Sequence, residues 1–506
     1  MMGLIFSNAT AVLIWLGSDS DFKPTGAREL FDRMSNWCRD ATPSMIRDMY
    51  RGSSEPPFQY YTDDDIEILL NVFECEWVWR LWCVQELVLA KKVWVHWAAV
   101  KMTWDLFSAV AIHIQAAKQG KIARTGLAGI YNVTLLESFR SQPIHITGKP
   151  MYYLRPLGMF GLKGHPRQSL PFSRLLSLTR FHGVTDRRDR IFSLLGLDHS
   201  LCRMSPGADL EPPLFAPNYA QKIGDLYTSI AKRLLCREKS LYLLSFVQHQ
   251  GHVEDRALPS WFPQWHVNNH RLITQFDFVS GHPVNKTLVA IWRKSETASI
   301  FPPGALRTYE GPFHISEEGI LQVEGLLLAT VSARCTETVF AGVTGDEWLF
   351  TLRHWLQDVV SWYTGDDENH SDSPSQDQLR DVAFRVFYRT ILGGHPRHRK
   401  VGRDLQSECQ AFQSLLFLTG NDSTDCCPAT QAFVTQVCRS RKLFLTTDGQ
   451  LGIGPNYVQP GDAIFALSSA AVPLLLRPRP RDHHRWELQG EVYVNGMVSA
   501  SEDYEP

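Results

Sequence analysis

The feature that most constrains the fold of this 506-residue sequence is a short apolar run followed by an amphipathic segment. The run "AVLIWLG" ends at Gly17, before the polar "SDSD", and predicts a buried strand inside a sheet. The next segment, "TGARELFDRMSNWCRD", has apolar residues at helical spacing behind Thr25 and predicts a capped helix. A strand followed by a helix is typical of an α/β fold.

The alternation continues to about residue 120. The segments "TDDDIEILLNVF", "RLWCVQELVLA" and "TWDLFSAVAIHIQAAKQG" predict helices, and "KKVWVHW" predicts a strand. Later helical patterns include "NYAQKIGDLYTSIAKRLL", 346–362 and 377–391, with a polar loop between the last two. The end of the chain is a run of short strands broken by Asp-Gly and Pro-Gly turns. We predict an α+β chain with an α/β region (1–120), a mainly helical region (121–300, without a clear pattern from 120 to 170) and a mixed helical and β-rich region (301–506).

Composition excludes several classes of function. The 51 Lys and Arg residues nearly balance the 53 Asp and Glu residues, which argues against nucleic acid as a partner. The longest late apolar stretch, "AIFALSSAAVPLLL", is shorter than the roughly 20 residues that span a bilayer, and the apolar start lacks a cationic segment typical of a signal peptide. We therefore expect a cytoplasmic protein without a membrane span.

The ten cysteines form no C-x-x-C motif and no Cys/His pattern of zinc spacing, which is typical of a protein from a reducing compartment. Cys426, Cys427, His395 and His398 are interpreted as loop residues. No metal site and no bound cofactor are predicted.

Six segments carry a resemblance to a known family. They are "MGLIFSNATAVLIWLG", "WVWRLWCVQELVLA", "LLSLTRFHGVTDRRDRIFSLLGL", "PNYAQKIGDLYTSIAKRLL", "LPSWFPQW" and "GIGPNYVQPGDAIFAL…VPLLLR…LQGEVYVNGMV". In this order they resemble the fungal heterokaryon-incompatibility (HET) domain family, from near residue 1 to about 499. HET domains normally open with segments like Y-x-A-L-S-Y-x-W-G and W-I-D-x-x-C-I-N-Q, and neither occurs here. The chain is therefore expected to begin inside the domain.

The resemblance implies a role like that of proteins that trigger growth arrest or cell death when genetically different fungal cells fuse. It also implies a partial sheet like that of the Toll/interleukin-receptor (TIR) domain in residues 1–120. Some TIR domains cleave NAD, and those of the plant type carry a catalytic glutamate in a W-C-x-x-E-L segment. The segment "WCVQEL" matches this motif at Trp82, Cys83, Glu86 and Leu87. NAD is therefore the candidate substrate.

Glu86 is the candidate catalytic residue. Helical spacing places it on one face with Trp79, Trp82 and Cys83, so that its carboxyl group lies among aromatic side chains. Cleavage of the glycosidic bond of NAD needs a carboxylate near the ribose, to stabilise an oxocarbenium-like state or to orient water. The motif neighbours of Glu86 are Arg80, Trp82, Cys83 and Gln85.

Two alternatives concern the same helix. Glu86 could be a structural carboxylate that pairs with Arg80, Lys91 or a backbone turn, because ion pairs that serve only the fold also hold carboxylates in place. Cys83 could be a nucleophile, although free cysteines are among the most often buried residues and plain packing is the simpler interpretation. The candidate bases for Cys83 are His96 and His113.

The cluster "TDRRDR" offers a possible phosphate contact. Arg187, Arg188 and Arg190 lie at the start of a predicted helix, and anions bind at helix N-termini. In the alternative interpretation, Asp186 and Asp189 cap the helix and pair with the arginines.

Three hypotheses follow for the whole chain. In the first, it is a HET-type signalling or effector module that works through a protein partner or as a homo-oligomer. In the second, it hydrolyses NAD or a related nucleotide with Glu86. In the third, it is an inactive truncated remnant of a HET protein.

Overall fold

The computed structural model describes most of the chain in two compact units, unit 1 (Met1–Ile223) and unit 2 (Gly224–Pro506). Both contain helices and sheets, which confirms the predicted α+β mixture. The predicted division into three regions stays a prediction. The described residues are 2–17, 62–97, 100–117, 128–140, 144–146, 149–151, 172–197, 216–249, 259–267, 313–340, 347–364, 376–393, most of 434–497, and parts of 28–36 and 409–416.

Unit 1 contains a sheet of three described strands, β1 (Val12–Trp15), β2 (Val93–Trp97) and β3 (Val100–Thr103). β1 pairs with β2 in parallel, and β3 pairs with β2 in the antiparallel direction. The predicted strands "AVLIWLG" and "KKVWVHW" are therefore confirmed, and they are neighbours. A second, two-stranded sheet is formed by β4 (Ile144–Ile146) and β5 (Lys149–Met151).

The prediction that β1 is a buried strand is wrong for one of its faces. Ile14 is 1% exposed, but Leu13 and Trp15 are 67% and 59% exposed. Successive side chains of a strand point to opposite faces of the sheet, so an uninterrupted apolar run predicts burial on both faces. In the described part of unit 1, only the face that carries Ile14 is covered.

One helix of unit 1, Asp63–Phe73, begins next to a residue that caps it. Thr62 Oγ1 accepts a hydrogen bond from Asp65 N at 3.1 Å, and Asp65 Oδ2 accepts one from Thr62 N at 3.0 Å. This reciprocal pair is a capping box, which satisfies amide groups that the first turn leaves without partners. The helices are α1 (Met2–Asn8), α2 (Asp63–Phe73), α3 (Trp82–Val88), α4 (Trp104–Ala117), α5 (Ala128–Phe139), α6 (Phe172–Leu178) and α7 (Asp189–Phe192).

α5 packs closely against its neighbours, although the sequence showed no clear pattern there. A Cβ atom on Gly129 would lie 1.6 Å from Phe73 O, so only glycine permits this approach of α5 to the end of α2. Gly129 N donates a hydrogen bond to Glu74 Oε1 at 2.9 Å, and Asn132 Nδ2 donates one to Val78 O at 3.2 Å. These contacts fix α5 beside the segment that leads into α3.

Unit 2 begins with a helix and continues with a two-stranded sheet and two further helices. α8 (Ile223–Glu238) starts at the boundary of the units, and β6 (Phe313–Ile315) pairs with β7 (Leu321–Val323). The helices predicted at 346–362 and 377–391 are confirmed as α9 and α10, and the loop predicted between them lies outside the described residues. Their bounds are Glu347–Thr364 for α9 and Gln376–Ile391 for α10.

The main sheet of unit 2 has seven described strands, and every pairing between neighbours is antiparallel. Its order is β13-β12-β11-β8-β9-β10-β14. This confirms the run of short strands predicted at the end of the chain. The strands are β8 (Gly325–Cys335), β9 (Arg441–Thr446), β10 (Leu451–Pro455), β11 (Ala463–Leu467), β12 (Leu474–Arg479), β13 (Asp482–Glu491) and β14 (Tyr493–Val494).

The core beside this sheet contains a buried ion pair. Arg441 Nη2 lies 3.0 Å from Glu491 Oε1, and the two side chains are 0% and 1% exposed. Burial lowers the pKa of Arg441, and the Glu491 carboxylate opposes this effect. The apolar residues of the same core are Ala329, Val331, Phe444, Val458, Ile464, Leu475, Val492 and Val494.

None of the described helices combines the length and the apolar character needed to cross a bilayer.

Candidate functional site

The helix α3, which carries the "WCVQEL" motif, is held in unit 1 by the backbone that precedes it. Gly183 N donates a hydrogen bond to Trp79 O at 2.5 Å, and Leu81 N donates one to Gly183 O at 3.0 Å. The segment around Gly183 belongs to "TRFHGVTDRRDR", so two of the segments that resemble HET domains lie side by side. In α3 itself, Cys83 and Leu87 are buried.

Glu86 is half-buried, so part of the residue is open to solvent. Trp77 Nε1 donates a hydrogen bond to Glu86 Oε2 at 3.3 Å, which orients the carboxylate. Among the ion pairs that involve described residues, none joins Glu86 to Arg80 or to Lys91. The donors that contact this carboxylate are neutral, namely the Trp77 indole and the Cys83 thiol.

Cys83 lies on the same helix but is 1% exposed. Burial raises the pKa of the Cys83 thiol well above its ordinary value, and the charge of Glu86 adds to the rise. A thiolate is the nucleophilic form of cysteine, so both observations favour packing as the role of Cys83. Of its two candidate bases, His96 lies on β2, and the side chain of His113 lies outside the described residues.

Gln85 connects α3 to the "TDRRDR" segment. Its side chain is 2% exposed, and Nε2 donates hydrogen bonds to the carbonyl oxygens of Phe192, at 3.5 Å, and Ser193. A Cβ atom on Gly196 would lie 2.6 Å from Gln85 Oε1, so glycine leaves the space that this amide needs. Gln85 therefore serves the packing of α3 against α7.

The three arginines of the predicted phosphate contact lie in three different environments. Arg187 is exposed. The guanidinium of Arg188 contacts both carboxylate oxygens of Asp186, at 2.9 Å and 2.7 Å, and also donates to Tyr219 O. The guanidinium of Arg190 is buried and donates to Thr179 O at 3.2 Å. For Arg188 this is the pairing with an acidic neighbour that the alternative interpretation predicted. Phosphate binding by this cluster stays a prediction.

A second carboxyl group, which the sequence did not indicate, belongs to the same part of unit 1. Glu137 on α5 is 7% exposed, and its Oε2 accepts a hydrogen bond from Trp104 Nε1 at 2.6 Å. The Trp104 and Trp77 rings are in edge contact, with centroids 6.0 Å apart and planes at 61°. The only signal in the sequence is a glutamate within the apolar stretch "NVTLLESF".

Burial raises the pKa of Glu137 to about 7, against an ordinary value of 4.5. The hydrogen bond from Trp104 and the charge of Arg140 lower this pKa, while the charge of Asp105 raises it. A carboxyl group with a pKa near neutral is typical of sites that handle protons.

The described residues contain no group of three or more His, Cys, Asp and Glu side chains placed to hold a metal ion. Cys426, Cys427, His395 and His398, which were interpreted as loop residues, lie outside the described part of the chain.

Comparison with known proteins gives two matches. Residues 424–502 match the model of the Het-6 β-barrel domain family. "Heterokaryon incompatibility protein 6, OR allele" of Neurospora crassa is 34% identical over 59 residues, which are 12% of this chain and 9% of the length of that relative. No solved structure matches the chain.

The fold thus defines a two-unit α+β protein whose C-terminal part is an antiparallel β unit similar to the Het-6 β-barrel domain. The six strands β9 to β14 fall within the matched residues. The resemblance to the fungal heterokaryon-incompatibility family is therefore confirmed, by matches that cover part of the chain.

Proposed function

We propose that this chain acts in fungal non-self recognition, as a signalling or effector module of the heterokaryon-incompatibility type. The observation that carries the proposal is the match of residues 424–502 to the Het-6 β-barrel domain, together with the similarity to a Neurospora crassa protein named for heterokaryon incompatibility. In this role the chain responds to a protein partner in the cytoplasm, with self-association as the alternative, and its response is growth arrest or cell death.

The packing of unit 1 brings together two of the segments that resemble HET domains. Gln85 of the "WCVQEL" segment is hydrogen-bonded to Phe192 and Ser193 of the "TDRRDRIFSLLGL" segment. Two segments that are far apart in the sequence and that both resemble HET domains therefore pack against each other through a buried amide. We also propose a TIR-like arrangement for this region, on the basis of the resemblance of its sequence to HET domains.

The test is a fusion assay in a filamentous fungus such as Neurospora crassa. Strains that express the full chain from an inducible promoter are paired with themselves and with a panel of genetically different strains, and the viability of fused cells is scored. We expect loss of viability in at least one non-self pairing and survival in self pairings. Survival of fused cells in every pairing, at verified abundance of the chain, contradicts the proposal.

A second candidate function is hydrolysis of NAD or a related nucleotide. The observation that favours it is the half-buried Glu86 carboxylate, oriented by Trp77 and adjacent to the buried, protonated Cys83. Water replaces nicotinamide at the ribose carbon, which gives nicotinamide, ADP-ribose and a proton. Glu86 would stabilise the oxocarbenium-like state or orient the attacking water.

Release of nicotinamide by the purified chain tests this candidate. Glu86→Gln keeps an acceptor for Trp77 but removes the charge, so we expect the rate to fall by about 100-fold or more. Glu76→Gln, an exposed carboxylate on the turn before α3, is the matched control and should retain the rate of the unmodified chain. Equal rates for the Glu86 variant and the unmodified chain, or no release by either, refute the candidate. Failure of both this assay and the fusion assay favours the inactive remnant.

A further inference from the structure

A continuous series of contacts joins Glu86 to the buried Glu137. Glu86 Oε2 accepts a hydrogen bond from Trp77 Nε1 at 3.3 Å, the Trp77 ring meets the Trp104 ring edge-on, and Trp104 Nε1 donates to Glu137 Oε2 at 2.6 Å. Each carboxylate therefore accepts a hydrogen bond from one indole N–H, and the two indole rings are in contact. The series runs from a half-buried group to one that is 7% exposed.

The surroundings of Trp104 allow little independent movement. Trp104 is 1% exposed and its ring lies 5.6 Å from that of Phe107, which in turn stacks on Phe73 at 4.8 Å. In a close-packed protein interior, a small displacement of one side chain is transmitted to the side chains around it. A change in the hydrogen bond at Trp104 Nε1 therefore reaches Trp77.

The protonation state of Glu137 can make such a change. Burial raises the pKa of Glu137 to about 7, so both forms are populated near neutral pH. The ionised carboxylate is the stronger acceptor for the Trp104 N–H, because hydrogen bonds to charged groups are shorter and stronger than neutral ones.

The charged groups that act on Glu137 come from two of the elements around it. Asp105 on α4 favours the protonated form, and Arg140, just after α5, favours the ionised form. Arg140 is itself fixed, because its Nη1 donates to Leu87 O of α3 at 2.5 Å. At the other end of α5, Glu74 accepts the hydrogen bond from Gly129 N.

We propose that Glu137 is a positioning residue for Glu86 and acts through the hydrogen-bonded indoles of Trp104 and Trp77. Proton uptake by Glu137 weakens its hydrogen bond with Trp104, and the Trp104 ring shifts. The Trp77 ring shifts with it and carries the Glu86 carboxylate to a different position. The role of Glu137 rests on the second candidate function, in which Glu86 is the catalytic carboxylate. The coupling itself can be measured without any turnover.

The experiment uses the full chain labelled with 15N at the tryptophan indole nitrogens. The resonances of Trp77 and Trp104 are assigned with Trp77→Phe and Trp104→Phe variants and followed across the neutral pH range. We expect both resonances to shift with one common midpoint near the pKa of Glu137, about 7. Glu137→Gln should abolish both shifts, and Trp104→Phe should abolish the shift of Trp77.

Control variants separate this coupling from simpler causes. Glu86→Gln should leave the shift of Trp104 in place, because this variant keeps Glu137 and its hydrogen bond to Trp104. Glu74→Gln changes the residue that accepts the hydrogen bond from Gly129 N, at the far end of α5, and should leave both shifts unchanged. Absence of a neutral-range shift at Trp77 in the unmodified chain overturns the proposal, and so does a shift of Trp77 that persists in Trp104→Phe.

Failure of the proposed hydrolysis is a different result from failure of the coupling. If the chain releases no nicotinamide, the indole titration still reports whether Glu137 is linked to Trp77. If it does release nicotinamide, Glu137→Gln should flatten the dependence of kcat on pH in the neutral range and leave KM nearly unchanged. A loss of folding would instead reduce all indole signals together.

Discussion

Unit 1 and unit 2 each bury a glutamate, and they give it different partners. Glu491 in unit 2 contacts the guanidinium of Arg441 at 3.0 Å, whereas Glu137 in unit 1 is hydrogen-bonded to the neutral indole of Trp104 at 2.6 Å. A buried ion pair holds both charges in place, since loss of either partner leaves an uncompensated charge. A buried carboxyl group with a neutral donor can instead gain or lose its proton.

This difference separates structural from functional roles. The sheet of unit 2 carries the family match, and its buried charges hold strands together. Unit 1 carries the half-buried Glu86 and the titrating Glu137, linked through two tryptophans. The proposed hydrolysis and the proposed coupling of Glu137 to Glu86 both concern unit 1.

The largest expected effect is in unit 2. Glu491→Gln leaves the buried Arg441 without its counter-charge and should reduce the stability of the sheet by about 3–5 kcal/mol. Glu487→Gln is the matched control, because the Arg479–Glu487 pair is 49% and 42% exposed and should contribute less than about 1 kcal/mol. Amide hydrogen exchange in β9 to β14 measures the loss of stability in both variants. Equal protection in the two variants contradicts a structural role for the buried pair.

The next effect is a dependence of the stability of unit 1 on pH. The pKa of Glu137 in the folded chain, about 7, lies above its ordinary value of 4.5, so the unfolded chain releases this proton first as the pH rises. The free energy of unfolding should therefore fall by about 3 kcal/mol between these two pH values, and Glu137→Gln should remove that part of the dependence. Hydrogen exchange in α4 and α5 is the measurement. A variant with the same pH dependence as the unmodified chain shows that Glu137 does not titrate in this window.

A smaller effect is expected where α3 meets α7. Gln85→Leu keeps the volume but deprives the buried Ser193 carbonyl of its donor, which should cost about 1–3 kcal/mol. Glu86→Gln, on the adjacent position, should change the stability of unit 1 by no more than about 0.5 kcal/mol. Thermal unfolding followed in the near-ultraviolet compares the two. If Glu86→Gln proves the more destabilising, Glu86 is a structural carboxylate.

Much of the fold could be predicted from the sequence, because many segments show either the alternation typical of a strand or the apolar spacing typical of a helix. β2 and the helices α2, α4, α9 and α10 were indicated by alternation, helical spacing and caps such as Thr62. The burial of β1 was wrong because an apolar run does not reveal whether a second layer covers Leu13 and Trp15.

The candidate site could be predicted in part. Glu86 was indicated by a motif, but Glu137 was not, because α5 is buried around most of its circumference and shows no amphipathic stripe. The hydrogen bond between Trp104 and Glu137 joins residues 33 positions apart, and no local pattern indicates such a contact.

We propose that the effector response of the chain depends on the Glu86 carboxylate of unit 1, which joins the two candidate functions. The most direct test compares the unmodified chain, Glu86→Gln and the unit 2 control Glu487→Gln in the same non-self fusion assay, at equal abundance. We predict that fused cells die with the unmodified chain and with Glu487→Gln, and survive with Glu86→Gln. Equal loss of viability with Glu86→Gln and with the unmodified chain would contradict this role of Glu86.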